Sequence, residues 1–547
     1  MRKVSKIGWF WGLLMGVVCL TMAQVTQADD QVLHYAVKHG NMTTLDPHRA
    51  TGSQDRVVVE MIFSGLLRYR PGTLSADTIE PDLAKSVPTP KTLPDGKQVW
   101  TFNLRQGVLC HPYNGKPGYE ITSEDVVFSL NRAADSKKSA FSGDYAGMTV
   151  EAPDKYTVKI ILEKAISTIL FLPKVANRAG GLIVPKKAAT EMGDEAFKSH
   201  PVGTGPFMFS SYKPNEKVVL VRHPKFFRGP AKLAGIDLYY MPDVSSRELG
   251  LQKGELDVIE GPREQAWGKK MEALSGVVVD AIGSAEALVA HFNMTKKPLD
   301  NLKVRQAIAY ALDRKEFVTY YGAKIASPIY SPVPTRVVGG LTGEEAAQAG
   351  VLYEYDPARA KKLLEEAGYP KGLSFDAFTS ESDSYKGAYE LMQAELRKIG
   401  VSLNLSVVDH PTFHKMIRED LDPIVVYLAE RPNPDSILTQ FFLSESIVVS
   451  GKKPVTNFSH MGAVEADGQR TDIDDLILAA RVEPDAKKQV KLWKEAQVKV
   501  LKVMAAYSFV DLGYLFARKS SVDWGYKMVS ITDGPKVTEN TQIVKKK

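Results

Sequence analysis

Cysteine is almost missing from this sequence. The 547-residue chain has two, Cys19 and Cys110, and Cys19 lies in an N-terminal leader, so the remainder holds Cys110 alone and can form no intrachain disulfide. A second thing it lacks, beyond residue 28, is an apolar run approaching the roughly 20 residues that cross a bilayer. It also lacks a strong charge of one sign. The formal charge is +6, and without the first 28 residues 67 basic side chains face 64 acidic ones, which gives no electrostatic case for nucleic acid. Catalytic signatures are missing too. There is no G-x-x-x-x-G-K-[ST] phosphate loop, no H-E-x-x-H pair and no G-x-S-x-G nucleophile elbow. No catalytic residue, metal or cofactor is expected.

Some local features imitate sites without completing them. "VGTGPF" (202–207) is glycine-rich but has the wrong spacing for a dinucleotide turn. Cys110 and His111 are sequence neighbours, which in a strand point to opposite faces, so they do not form a nucleophile pair. His410 and His414 stand at i, i+4, a spacing that clamps a metal on a helix, but no third ligand is near and His410 is read as preceding the helix. Glu365-Glu366 and Asp474-Asp475 read as solvated helix faces.

What is present begins with the leader. "MRKVSKIGWFWGLLMGVVCLTMAQVTQADD" opens with Arg2, Lys3 and Lys6, continues through 14 apolar residues from Ile7 to Leu20 and ends in small residues at Ala28. That is the pattern of a cleaved secretory signal, and it predicts export. Gly16-Val17-Val18-Cys19 lacks the small residue that lipid attachment at Cys19 needs. Hydrophobic residues at 44% and charged ones at 24% are ordinary for a globular protein, and the length suggests about three folding units.

Along the chain, "QVLHYAVKHG" alternates as a strand, and "QDRVVVEMIFSGLLRY" carries helical spacing at Val57, Met61 and Leu66. Thr122 or Ser123 caps a helix through "EDVVFSLNRAAD". "GPFMFSSYKPNEKVVLVRHP" reads as a hairpin turning at Pro214-Asn215. "DNLKVRQAIAYALDRKEFVTYY" reads as one amphipathic helix. "DPARAKKLLEEAGY" is a helix started by Asp356-Pro357 and stopped by Gly368. "KGAYELMQAELRKIG" is a helix before the strand "VSLNLSVVD". Alternating strands and helices predict an α/β chain with largely parallel sheets. One stretch stands out, "PIVVYLAERPNPDSILTQFF" (423–442), where an apolar strand stops at Glu430-Arg431 and two prolines follow.

Taken in order, these segments resemble a known family. "TLDPHRATGSQDRVVVEMIFSGLLRY" (44–69), "WTFNLRQGVLCHPYNGKPGYEITSEDVVFSLNRA" (100–133) and "PVGTGPFMFSSYKPNEKVVLVRHPKFF" (201–227) are followed by "GELDVIEG" (254–261) and "HFNMTKKPLDNLKVRQAIAYALDRKEFV" (291–318). "YDPARAKKLLEEAGYP" (355–370) and "LMQAELRKIGVSLNLSVVD" (391–409) complete the series. The series is similar to the extracytoplasmic solute-binding proteins of ABC importers, the peptide/nickel/opine group called family 5. It departs from the family in Cys110, where an aromatic is usual, and in extra residues around Pro112–Tyr119.

The resemblance implies a two-lobed α/β periplasmic binding fold with two crossover strands and an extra subdomain in the first lobe. It would divide the chain into residues 29–72, 203–283 and 508–547 as the hinge-side part of lobe I, 73–202 as the inserted subdomain and 284–507 as lobe II. It implies a periplasmic, monomeric receptor that captures short peptides or a related amino-bearing solute and passes it to an inner-membrane ABC permease. A nickel chelate, an opine or an oligosaccharide is the alternative cargo, and a signalling or chaperone-like binding protein is the alternative role. Having only Trp100, Trp267, Trp493 and Trp524 outside the leader speaks against sugar. In peptide-binding relatives an acidic residue after a lobe II strand meets the ligand's ammonium group, and Glu430 stands at that position, with Tyr427 where the family has an aromatic. Arg431 adds a cation that would suit a ligand carboxylate, while Pro432 biases its backbone toward the extended form. Asn41, Met42 and Thr43 stand where relatives lay the ligand backbone, offering main-chain groups for β-augmentation. Tyr145 stands where the inserted subdomain approaches ligand. Asp46, Pro47 and Arg305 are expected to be structural.

Overall fold

The computed structural model describes residues 31–449, 456–466, 469–530 and 533–544. The leader and Cys19 lie outside the described residues.

Local rules account for many of the elements. Helix Ser123–Ala134 starts in a capping box in which Asp125 returns to the Thr122 backbone N–H at 2.9 Å. Asp356 accepts from the Arg359 N–H at 2.9 Å to start helix Pro357–Glu366, and the chain leaves through Gly368 at φ 90°. Strands Phe207–Lys213 and Lys217–Arg222 form the expected hairpin, with Asn215 at φ 57° in the turn.

Four expectations are corrected. The stretch 301–321 is two helices, Leu302–Ala311 and Arg314–Tyr321, because Asp313 accepts from the Lys315 N–H at 2.9 Å and opens a second helix. Helix Ser53–Ile62 ends before Leu66, since Phe63 turns extended at ψ 157°. His410 is the first residue of helix His410–Arg418, with Asp409 as its cap. The sheets are mixed rather than largely parallel. Only Val32–Val37 with its two neighbours and Leu373–Ser380 with Val401–Val408 pair in parallel among the described strands.

The largest sheet has nine strands. Its order is Ile424–Ala429, Val277–Phe292, Ala506–Lys519, Val258–Glu260, Val32–Val37, Gly235–Tyr240, Lys217–Arg222 and Phe207–Lys213, with Ala326–Pro328 joining beside Ala506–Lys519. Val277–Phe292 and Ala506–Lys519 are 16 and 14 residues long and antiparallel, so at about 3.4 Å per residue they run roughly 50 Å and pass through both lobes. Their register breaks between Gly283 and Glu286, where Gly283 faces Gly513. A Cβ on Gly513 would sit 2.3 Å from the Ile282 carbonyl oxygen, so glycine is what lets the two crossover strands approach there.

Buried apolar side chains form three clusters. One gathers Leu33, Ile62, Phe207, Leu238 and Phe516. The second gathers Trp100, Phe102, Val158 and Phe171, beside the antiparallel sheet that contains Gln98–Asn103 and Thr157–Leu162. The third gathers Phe292, Tyr389, Trp493 and Phe509. The fold is α/β and two-lobed, and the crossover strands leave a cleft between the lobes.

Candidate ligand-binding cleft

The polar break at 430–435 joins a strand to a helix. Ile424, Val425 and Val426 are buried, while Tyr427, Leu428 and Ala429 are half-buried and line the cleft. Asn433 then caps helix Pro434–Phe442, accepting from the Ser436 N–H at 2.9 Å, and Pro434 occupies the first turn, where a missing N–H costs nothing. Glu430 and Arg431 are left at the mouth of this junction. Arg431 folds back onto its own segment: it donates to the Glu430 carbonyl at 2.7 Å and to Gln440, and its guanidinium lies 5.5 Å from the Phe441 ring centre.

Glu430 faces across the cleft. Its carboxylate is 3.6 Å from Arg178, and Arg178 is 3.8 Å from Asp533. Asp533 in turn takes two hydrogen bonds from Arg56, one at 2.7 Å from Nε. A chain of alternating charge thus runs from Glu430 to Arg56 across the cleft. Its members are largely out of water, with Asp533 only 7% exposed and Glu430 19%, so they interact far more strongly than a surface pair would. Burial pushes the Glu430 carboxyl up to about 7. The Arg178 charge opposes this and Asp533 and Glu286 reinforce it. Burial acts on Asp533 in the same direction, but the Arg56 hydrogen bond and the charges of Arg178 and Arg56 outweigh it and hold Asp533 below the usual carboxylate range.

This chain bounds a cavity of about 990 Å³. A second cavity of about 830 Å³ adjoins it, sharing Ser53, Glu286, Leu428, Tyr514 and Asp533 as wall. The first is lined by as many carboxylates as cationic side chains, so it suits a solute carrying both signs better than a simple anion or cation.

The structure brings Glu430, Arg431, Tyr427 and Tyr145 together on the wall of the first cavity. The Tyr427 ring packs 5.4 Å from Phe458 and 5.7 Å from Phe441. Tyr145 is buried against Gly180, and its hydroxyl donates to the Lys174 carbonyl at 2.7 Å. Asn41, Met42 and Thr43 line neither cavity. The Asn41 side chain is held by Tyr212 and the Asn215 N–H, and the Thr43 N–H donates to Asp55 at 2.7 Å. Just upstream, Val37 at the end of its strand and Lys38 and His39 after it line the second cavity instead.

Other expected sites have local explanations. His410 and His414 approach with 3.1 Å between their Nε2 atoms, and His410 is held by Ser380 at 2.9 Å. No group of three or more His, Cys, Asp or Glu is placed to hold a metal among the described residues. Cys110 accepts from the Tyr119 N–H, while His111 is used by Gly203 and Gly205. Asp46 is tied to Arg132, and Arg305 donates to the carbonyls of Leu299, Asp300, Val503 and Met504. Arg56, Arg178, Glu286 and Asp533 belong to no functional motif of the sequence. The one hint is Arg178 itself, a lone cation within "VANRAGGLIV".

Comparison with known proteins identifies the family. The family model described as "Bacterial extracellular solute-binding proteins, family 5 Middle" matches residues 78–447. The dipeptide-binding protein of Escherichia coli K12 is 26% identical over 91% of this chain and 92% of its own length. Heme-binding protein A of Haemophilus influenzae is 28% identical over 80% of this chain and 79% of its own. Among solved structures, MoaA of A. tumefaciens R10 in complex with mannopinic acid is 38% identical, covers 94% of this chain and 100% of its own, and superposes with a TM-score of 0.73. The chain belongs to the family 5 bacterial extracellular solute-binding proteins.

Proposed function

We propose that the chain is the periplasmic substrate-binding component of an ABC importer, exported by its leader, and that it encloses a zwitterionic, amino-acid-derived solute between its lobes for delivery to a membrane permease. The observation that carries this reading is the ion chain from Glu430 through Arg178 and Asp533 to Arg56. A solute ammonium group pairs with Glu430 and a solute carboxylate with Arg178. Each replaces half of an ion pair whose 3.6 Å separation leaves room for closer partners. A solute that touches both lobes only when they meet shifts the population toward the closed form, with the register break at Gly283 as the hinge. The family consists of binding proteins rather than enzymes, and release to the permease needs no covalent step.

Calorimetric titration with an α-amino solute and its N-acetylated counterpart tests the assignment. Glu430→Ala should weaken the free-amino solute at least about tenfold, the scale of one charge-assisted hydrogen bond, and leave the acetylated one far less affected. Equal affinity in wild type and variant removes Glu430 from the site. A second reading, an opine-type conjugate in place of a peptide, is favoured by the mannopinic acid complex of a protein 38% identical to this one.

A further inference from the structure

Ser167 and Gln489 line neither cavity, yet both are fully buried. They come from opposite sides of the cleft. Ser167 precedes the short helix Thr168–Phe171, whose last residue belongs to the second apolar cluster. Gln489 lies on helix Ala486–Lys502, which carries Trp493 of the third cluster. The Ser167 hydroxyl donates to the Gln489 side-chain oxygen. Gln489 uses its amide N–H within its own lobe, on the Ala480 carbonyl at 2.6 Å, which leaves its oxygen for Ser167.

The segment that bears Ser167 is fixed in its own body. The Ile166 N–H donates to the Gln98 side chain at 3.3 Å and its carbonyl accepts from the same amide at 3.0 Å, while Gln98 also accepts from the Trp100 indole at 2.9 Å. The turn held in this way presents Ile169 and Leu170 to the third cluster while Phe171 stays in the second. One four-residue helix therefore packs against the apolar cores on both sides of the cleft. Opening the cleft exposes Ile169 and Leu170 to water, which is unfavourable, and parts Ser167 from Gln489. The Arg178–Glu430 bridge is different, because it lies in the cavity wall, where an entering solute competes for both charges. The Ser167–Gln489 bridge lies outside the cavities, and a solute leaves it intact.

We propose that Ser167 and Gln489 form a latch that holds the cleft shut with or without solute, and that they set affinity without touching what is bound. Only the closed form encloses a solute, so weakening the latch lowers the apparent affinity for every solute by the same factor. Loss of Glu430 acts otherwise, since it separates free from blocked amines. Ser167→Ala leaves the Gln489 oxygen buried and unpaired in the closed form but hydrated in the open one, which shifts the ratio about tenfold toward open.

Distances between nitroxide labels at Ala152→Cys and Lys491→Cys, exposed positions in the two bodies, test this on the full chain without solute. Wild type should show a dominant short distance. Ser167→Ala and Gln489→Met should each raise the long-to-short ratio about tenfold. The double variant leaves neither partner unpaired, since the Ala480 carbonyl keeps the Glu483 N–H at 3.3 Å, and its ratio should return toward that of wild type. Ser167 also accepts from the Leu170 N–H at 3.4 Å. Loss of that cap alone would leave Gln489→Met like wild type and the double variant as open as Ser167→Ala, and either result overturns the latch. So does a solute-free wild type without the short distance, or one ratio shared by wild type and both single variants. Glu430→Ala without effect on amino-solute affinity, beside an opened Ser167→Ala, refutes the amino site and leaves the latch standing.

Discussion

Glu430 keeps its proton to an unusually high pH for a carboxylic acid. Burial outweighs the opposing charge of Arg178 and raises the group to about 7, so near neutrality it is only partly ionised. Pairing with an ammonium group requires the ionised form, and binding therefore expels a proton whenever the pH is near or below that value. Affinity for an amino-bearing solute should fall by up to tenfold per pH unit below about 7, pass through a maximum, and fall again once the pH exceeds the solute's own ammonium pKa. Calorimetry in buffers of different ionisation enthalpy should detect a proton released at pH 6 and, as the solute's ammonium group titrates, a proton taken up at pH 9. Folding has the opposite dependence. Because the folded value lies above the unfolded one, the stability Glu430 contributes is present in acid and fades as pH rises through about 7.

At the scale of single elements, the edge strand Ile424–Ala429 depends on its helix. Tyr389 is fully buried, and its hydroxyl serves both a carbonyl and an N–H of the strand. Tyr389→Phe leaves both backbone groups without partners and should cost about 1–3 kcal/mol, measurable as a lower urea midpoint at unchanged slope. Elements of this kind show what sequence can convey. Caps such as Thr122 and Asp356 and the Asn215 turn announce themselves because a few adjacent residues determine them. The break at Leu312-Asp313 does not, since the apolar period runs on through it and only the Asp313 cap divides the helices. Strand direction stays hidden for a related reason: alternation marks a strand but says nothing about which strand lies beside it.

For the whole molecule, the cleft is spanned by side chains from segments remote in sequence. Arg178 contacts Glu430 on one side and Asp533 on the other, and Ser167 hydrogen-bonds to Gln489 elsewhere across the molecule. Arg178→Ala removes the central charge of the chain and leaves two carboxylates facing each other across the cleft, so without solute the lobes should spend more time apart. Small-angle X-ray scattering should report a larger radius of gyration for the variant, and an identical value would show that Arg178 does not hold the lobes together. This arrangement also explains which half of the site sequence could reveal. Glu430 and Tyr427 sit in one contiguous stretch with a visible strand-to-turn break. Arg56, Arg178 and Asp533 meet only after folding, and apart from the isolation of Arg178 in an otherwise uncharged stretch no local pattern distinguishes them from ordinary surface charges.

The pairing of Arg56 with Asp533 joins residues 477 positions apart. A polypeptide made from its amino end therefore completes almost every helix and strand before the floor of its cleft can be laid. Until the final stretch emerges, Arg56 and Arg178 lack the carboxylate between them, and a prematurely ended chain has walls without a floor.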